Sequence, residues 1–298
     1  MMKSVQYKNR YYMMAWNLYL PEDFDENKKY PAIVIVHPGG WVKEQVSGLY
    51  AQRLSELWYI ALAYDASHQW ESGWEPRYLE NPYERVNDVR VSVDYLCSLD
   101  YVDNDRIWCL GICAWWWYSV NATCSEHRIK AIATISWMDV WDAYRMSTPD
   151  VDAALKSAWE DRNRIYRWEE PHYINYIPNT KEEAEATWSV MIKEAYDYYR
   201  TPRAQHPNAK NILVEASVSY LLSFNAFEPI PYLLTQPILM IAWSEAETKG
   251  YSEKGIEMAK SEKELYLVEW ATHVSLYDNK EHVDIAVNKL KEFYGKYL

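Results

Sequence analysis

Hydrophobic positions along this chain follow two rhythms. Short β-rich runs occur at Pro31 to Val36, Tyr59 to Tyr64, Arg106 to Leu110 and Ile129 to Ser136. Their length and β-branched or aromatic content predict buried strands. Between them the spacing changes: over Glu84 to Leu99 the apolar residues Val86, Val89, Val93 and Leu96 recur at steps of three and four, which places them on one helical face. This alternation predicts right-handed βαβ crossovers and a mostly parallel central sheet flanked by helices, an α/β fold.

From about Met138 to Tyr232 the rhythm lapses. Helical patterning near Asp150 to Asp161 and Lys181 to Arg200 is interrupted by Glu170-Pro171-His172 and Ile177-Pro178, so this stretch reads as an inserted helical cap. Strand patterning returns at Pro237 to Ala242 and Glu264 to Glu269. A last helix then carries Val283, Ala286, Leu290 and Phe293 on one face. The expected organisation is a core of residues 1–137 and 238–298 with residues 138–237 as the cap.

Composition changes this picture at one point. The chain has 16 Trp and only 8 Gly in 298 residues, against ordinary glycine usage of about 7%. Many Trp stand where turns favour glycine: Trp41 after His37-Pro38-Gly39-Gly40, Trp70 and Trp74 around Glu71-Ser72-Gly73, and Trp243 and Trp270 at the ends of apolar runs. The expectation is that most of these positions are glycine in the organism's own protein, through a genetic code that reads UGA as glycine. One or two, Trp115 among them, are expected to be authentic.

The remaining composition mainly excludes. Cys97, Cys109, Cys113 and Cys124 form no C-x-x-C pair, so neither a disulfide frame nor a metal site is expected, and no cofactor. The net charge of −12 is spread along the chain and opposes nucleic acid as a partner. Residues Met1 to Arg10 lack the apolar core of a signal peptide, and no run approaches about 18 apolar residues. No membrane contact is expected, and a cytoplasmic protein follows. A homo-oligomer is compatible with the sequence.

Candidate chemistry begins at Leu110-Gly111-Ile112-Cys113-Ala114-Trp115, which has the outline of G-x-[SC]-x-G without its second glycine. In such a turn the nucleophile, here Cys113, sits in a strained conformation at the carboxyl end of a strand, with a helix N-terminus beneath it that favours a thiolate. His273, in the loop after the last strand, is the candidate base. Nucleophile first and histidine last is the order of nucleophile-elbow hydrolases, with an acid between them after the penultimate strand. Glu245 is the first choice for that acid, Glu247 the second and Asp139 the third. Adjacent glycines in His37-Pro38-Gly39-Gly40 let backbone N–H groups face a pocket, so Gly40 or Trp41, together with Ala114, would stabilise an oxyanion. His37 itself begins the turn and is placed to brace it.

The runs His37 to Gln45, Tyr64 to Ser72, Gly111-Ile112-Cys113 and Ala271 to Asp278 resemble bacterial α/β-hydrolases of the dienelactone-hydrolase-like group. Tyr196-Asp197-Tyr198-Tyr199-Arg200-Thr201-Pro202-Arg203 is similar to cap sequences in that group. The resemblance implies the α/β-hydrolase fold, a triad of Cys113, Glu245 and His273, and hydrolysis of a small carboxylic ester, thioester or lactone through an acyl-enzyme. The departures are the Trp at 41, 70, 74, 115 to 117, 243 and 270. If all 16 Trp are native, the alternative gains: an inactive protein of this fold that binds an apolar ligand or partner with an aromatic cap.

Overall fold

The computed structural model describes residues 1–9, 11–113, 116–136, 145, 148–225, 227–244 and 249–297. Among them, eight strands form one sheet: β1 (Met2–Lys8), β2 (Met13–Tyr19), β3 (Tyr30–Val36), β4 (Ile60–Tyr64), β5 (Val102–Ile112), β6 (Ile129–Ile135), β9 (Ile238–Trp243) and β10 (Lys263–Val268). Their spatial order is β1-β2-β4-β3-β5-β6-β9-β10. The pairs β1/β2 and β2/β4 are antiparallel and all others parallel. The sheet is therefore mostly parallel, as the alternation predicts. The antiparallel β1/β2 ribbon is absent from that reading because β1 is largely exposed and mixes Lys, Ser and Gln with its apolar positions, while the mostly buried β2 is interrupted by Asn17.

Helices cover both faces. On one lie α2 (Pro82–Cys97) and α3 (Trp116–Thr123), and there Val86, Val89, Val93 and Leu96 meet Val34, Cys109 and Ile132. On the other lie α1 (Val46–Ser55) and the last helix α11 (Lys280–Gly295), whose Val283, Ala286, Leu290 and Phe293 meet Ile33, Ile35, Trp108 and Leu110. Successive residues of β3 and β5 thus serve opposite layers, the alternation a strand imposes. Burying each large aliphatic side chain contributes roughly 1.5–3 kcal/mol, so these two layers carry the fold. Local signals set the helix starts. Asn81 accepts from the Tyr83 N–H ahead of α2, with Pro82 in the first turn, and Asn279 accepts from Glu281 and His282 ahead of α11.

Between β6 and β9 the described residues form α4 (Val151–Tyr166), β7 (Tyr173–Asn175), α5 (Lys181–Ala186), α6 (Val190–Arg200), β8 (Ile212–Val214), α7 (Ser217–Ser223) and α8 (Ile230–Leu233). Strands β7 and β8 make a separate antiparallel ribbon, so this insert is not wholly helical. After β9 come α9 (Lys249–Met258), β10 and the short α10 (Ser275–Asp278).

The topology has one switch point. From β3 the chain steps outward to β4 and then returns across β3 to place β5 on its other side. Crevices beyond the carboxyl ends of strands at such a point are where α/β sheets hold ligands. Register brings Val36 beside Gly111 and Ile112 beside Ile135, which gathers the loops after β3, β5 and β6 at one edge.

Candidate active site

Strand β5 ends at Ile112 and α3 begins at Trp116. In the gap Cys113 has a left-handed φ of +61°, a conformation uncommon for a residue with a side chain. The Cys113 side chain packs at the meeting of the two core layers. Beyond β10, His273 places its Nε2 3.2 Å from Cys113 Sγ. The His273 ring stands edge-on to Trp243, 4.8 Å away at 70°. Its carbonyl oxygen accepts from Ser136 Oγ at 3.0 Å. The ends of β5, β6, β9 and β10 therefore all touch this pair.

Burial pushes the His273 imidazole down to about 3, so the ring is neutral near pH 7. A neutral imidazole keeps one nitrogen lone pair, which can take a thiol proton. Its Nδ1 is buried and has no hydrogen-bond partner among the described residues. The acid candidates Glu245, Glu247 and Asp139 lie outside the described residues, as does Ala114.

The loop after β3 is held from several sides. Gly40 has φ +73°, and a Cβ there would stand 2.5 Å from the Tyr176 ring. Both the backbone and the close approach thus require glycine. Trp41 is buried and stacked face to face on Tyr199, with ring centroids 3.4 Å apart and planes at 1°. His37 braces the turn: the Ala66 N–H donates to its Nε2 at 3.2 Å, which puts the ring proton on Nδ1, where it faces the Pro38 carbonyl oxygen at 2.6 Å. Burial pushes this imidazole down to about 3. Lys43 donates through its backbone N–H and its ammonium to Asp65, at 3.0 and 2.8 Å. Burial lifts the Asp65 carboxyl to about 6 against the pull of Lys43.

Several residues of this site escape a reading of the sequence. Tyr277 is buried, and its hydroxyl lies 3.0 Å from His273 Nε2. The available signals are its place four residues after the histidine, one helical turn on, and its position in the run Ala271 to Asp278, neither of which gives its hydroxyl a role. From the insert, Tyr198 and Tyr199 pack on Tyr277 with centroids 5.3 and 6.3 Å away. Arg203 donates to both Asp278 oxygens, at 2.7 and 2.6 Å. The insert segment Tyr196 to Arg203 and the segment Ala271 to Asp278 thus close on one another beside the sulfur. Below them, buried Glu80 accepts from Tyr118 at 3.0 Å and from Tyr176 at 3.2 Å, and is paired with buried Arg85.

The other cysteines differ in setting. All four are free of disulfides, and burial pushes the Cys124 thiol up to about 12 and the Cys109 thiol higher still. Such thiols are poor nucleophiles. A cavity of about 590 Å³ lined by Tyr19, Glu22, Gln52 and Trp58 includes none of the residues around Cys113. No helix among the described residues is long and apolar enough to cross a membrane.

No protein-family model matches the chain. It is 37% identical over 298 residues to the uncharacterized protein YcjY of Escherichia coli (strain K12), an alignment spanning 94% of this chain and 93% of YcjY. It is 32% identical over 310 residues to the uncharacterized protein PA2218 of Pseudomonas aeruginosa, spanning 99% of this chain and 81% of that one. The solved structure of PA2218 matches with a TM-score of 0.88 over 100% of this chain and 94% of the other. The α/β-hydrolase GrgF from Penicillium sp. sh18 matches with a TM-score of 0.83 at 17% identity, over 100% and 99% of the two chains.

Proposed function

Because the chain belongs to the family of YcjY and PA2218 and has the α/β-hydrolase fold, we propose that it hydrolyses a small carboxylic ester, thioester or lactone through a cysteine-bound acyl-enzyme. Within that fold we assign it to the dienelactone-hydrolase-like group. The observation that carries the reading is the 3.2 Å approach of His273 Nε2 to Cys113 Sγ at a left-handed strand-to-helix turn.

In this mechanism His273 Nε2 takes the thiol proton as sulfur bonds to the substrate carbonyl carbon. Collapse of the tetrahedral species breaks the bond to the leaving group, which receives the proton from the imidazolium. Water then attacks the acyl carbon and gives its proton to Nε2. The sulfur–carbon bond breaks, and the proton returns to sulfur. The oxyanion is assigned to backbone N–H groups of the turn after β3, at Gly40 or Trp41, and of Ala114. The unpaired Nδ1 is where a carboxylate would hold the imidazolium, and Glu245 remains the first choice, ahead of Glu247 and Asp139. Tyr176, Tyr198 and Tyr199 bring the insert against this edge, so the insert is the part that would select the acyl group.

A second reading rests on the stacking of Trp41 on Tyr199 beside the sulfur: a non-catalytic protein that uses these rings to hold an apolar ligand. Intact-mass spectrometry after brief exposure to an activated acetyl ester separates the two. One acetyl group on Cys113, lost with time and absent in His273→Ala, is expected. A folded protein that neither acylates nor turns over the ester would leave the binding reading.

A further inference from the structure

We propose that Tyr277 is a positioning residue of the Cys113–His273 pair, its phenol donating to His273 Nε2 while the sulfur is a thiol and to the sulfur once the proton has moved to the imidazole. This rests on the assignment of Cys113 as nucleophile. Three groups share one small space: Nε2 has the sulfur at 3.2 Å and the Tyr277 hydroxyl at 3.0 Å, and the hydroxyl also interacts with the sulfur. Burial holds the phenol pKa well above its ordinary value of 10.0, so Tyr277 remains a donor across the working pH range. Its other neighbours are the rings of Tyr198 and Tyr199 and the Tyr199 hydroxyl, so Nε2 and the sulfur are two of the three polar groups within its reach among the described residues.

Magnitudes decide the direction of the effect. While sulfur is a thiol, the phenol makes a neutral hydrogen bond to Nε2. After proton transfer it donates to a thiolate, and hydrogen bonds to ionised partners are roughly twice as strong. Tyr277 therefore favours the thiolate–imidazolium pair over the neutral pair. The groups facing the sulfur are His273 and Tyr277 from the segment after β10 and Tyr199 from α6. Among the described residues the nearest charges behind them are Asp278 and Arg203, which are paired with each other.

The test is the rate of Cys113 alkylation by iodoacetamide against pH, read by peptide mass spectrometry in the wild type, Tyr277→Phe and His273→Ala. Tyr277→Phe keeps the ring and removes the donor. Its alkylation midpoint is expected to rise by about one pH unit, with kcat on an activated ester falling more than KM changes. Replacing Tyr277 with 3-fluorotyrosine, a stronger donor of nearly the same shape, should move the midpoint the other way and keeps the test open if the Phe variant folds poorly. An unchanged midpoint in both variants overturns the role of Tyr277 alone. If His273→Ala also leaves the midpoint where it is in the wild type, the Cys113–His273 pairing fails as well.

The backbone of the tryptophans carries a second, independent inference. Among the described residues ten other than glycine have left-handed φ, and five are Trp: Trp58 (71°), Trp70 (43°), Trp74 (91°), Trp168 (59°) and Trp270 (58°). Random placement of 16 Trp in 298 residues would put fewer than one there. Two of them occupy a specific seat. At the end of α4 the Trp168 N–H donates to the Ile165 carbonyl at 3.0 Å and the Glu169 N–H to the Arg164 carbonyl at 3.0 Å. At the end of α1 the Trp58 N–H donates to Ser55 at 3.2 Å and the Tyr59 N–H to Leu54 at 3.3 Å. Both are the paired bonds of a Schellman helix end, and the left-handed residue between them is usually glycine. The buried indole N–H groups of Trp70 and Trp108 have no hydrogen-bond partner among the described residues, whereas a buried indole N–H usually finds one.

We infer that the gene specifies glycine at positions 58, 70, 74, 168 and 270 through UGA codons. Sequencing the gene and measuring tryptic peptide masses of protein from its own cells test this. UGA at the five codons and glycine masses in the five peptides are expected. UGG codons, or tryptophan masses in the native peptides, overturn it.

Discussion

Replacing Trp168 with glycine should stabilise this chain, and the structure sets the size of the effect. Trp168 is 95% exposed, so losing its indole forfeits almost no burial. Its φ of +59° puts it in a conformation that costs a side-chain-bearing residue about 1–2 kcal/mol relative to glycine. Glycine gives back roughly 0.5–1 kcal/mol through the greater freedom of the unfolded chain. The net is a gain of about 0.5–1 kcal/mol, which at an unfolding entropy near 2.1 cal/mol/K per residue amounts to roughly 1–2 °C in Tm for a chain of this length. Trp168→Ala is the control, because it removes the indole and retains the strain. The assay is urea unfolding followed by circular dichroism, comparing midpoints at constant slope. A midpoint for Trp168→Gly at or below those of the parent and Trp168→Ala would refute the reasoning. Trp270→Gly, at 80% exposure and φ +58°, should behave in the same way.

Three further outcomes follow from the buried polar groups and the turn after β3. Because the His37 imidazole sits at about 3 when folded and near 6.5 when unfolded, the unfolded chain binds the extra proton between those values. That component of stability is present above about pH 6.5 and is lost as pH falls, by up to 1.36 kcal/mol per unit. His37→Asn should therefore lower the proton uptake on unfolding by about one between pH 4 and 6 in urea titrations, and parallel stability curves would contradict this. Arg85→Met strands buried Glu80 and Asp88 and should cost about 3–5 kcal/mol, read as a drop in the urea midpoint. Gly40→Ala drives a Cβ to 2.5 Å from Tyr176 and forces a left-handed Ala, so esterase activity should fall together with about 1–3 kcal/mol of stability. Full activity in that variant would remove the turn after β3 from the proposed oxyanion site.

The six strands β3, β4, β5, β6, β9 and β10, the helices α2 and α11, and the placement of Cys113 and His273 in strand-end loops were readable from the chain, whereas β1, β2 and the β7/β8 ribbon were not. Apolar periodicity is a local property that survives without coordinates: Val86, Val89, Val93 and Leu96 share a helical face whatever they pack against, and Val34 and Ile35 must point apart along a strand. The unusual Trp and Gly counts were readable too, since composition needs no geometry. Tertiary structure alone decided which distant residues meet. Tyr277 reaches His273 Nε2 because α10 turns back on the loop that carries the histidine. Tyr198, Tyr199 and Arg203 reach Tyr277 and Asp278 because the insert folds over the sheet edge, across some 75 residues of intervening chain. The left-handed seats of Trp58 and Trp168 likewise depend on where two helices stop, which the apolar pattern places only to within a few residues. Periodicity carries information about a residue's own element, whereas contacts between elements depend on crossovers and loop paths that no local pattern encodes.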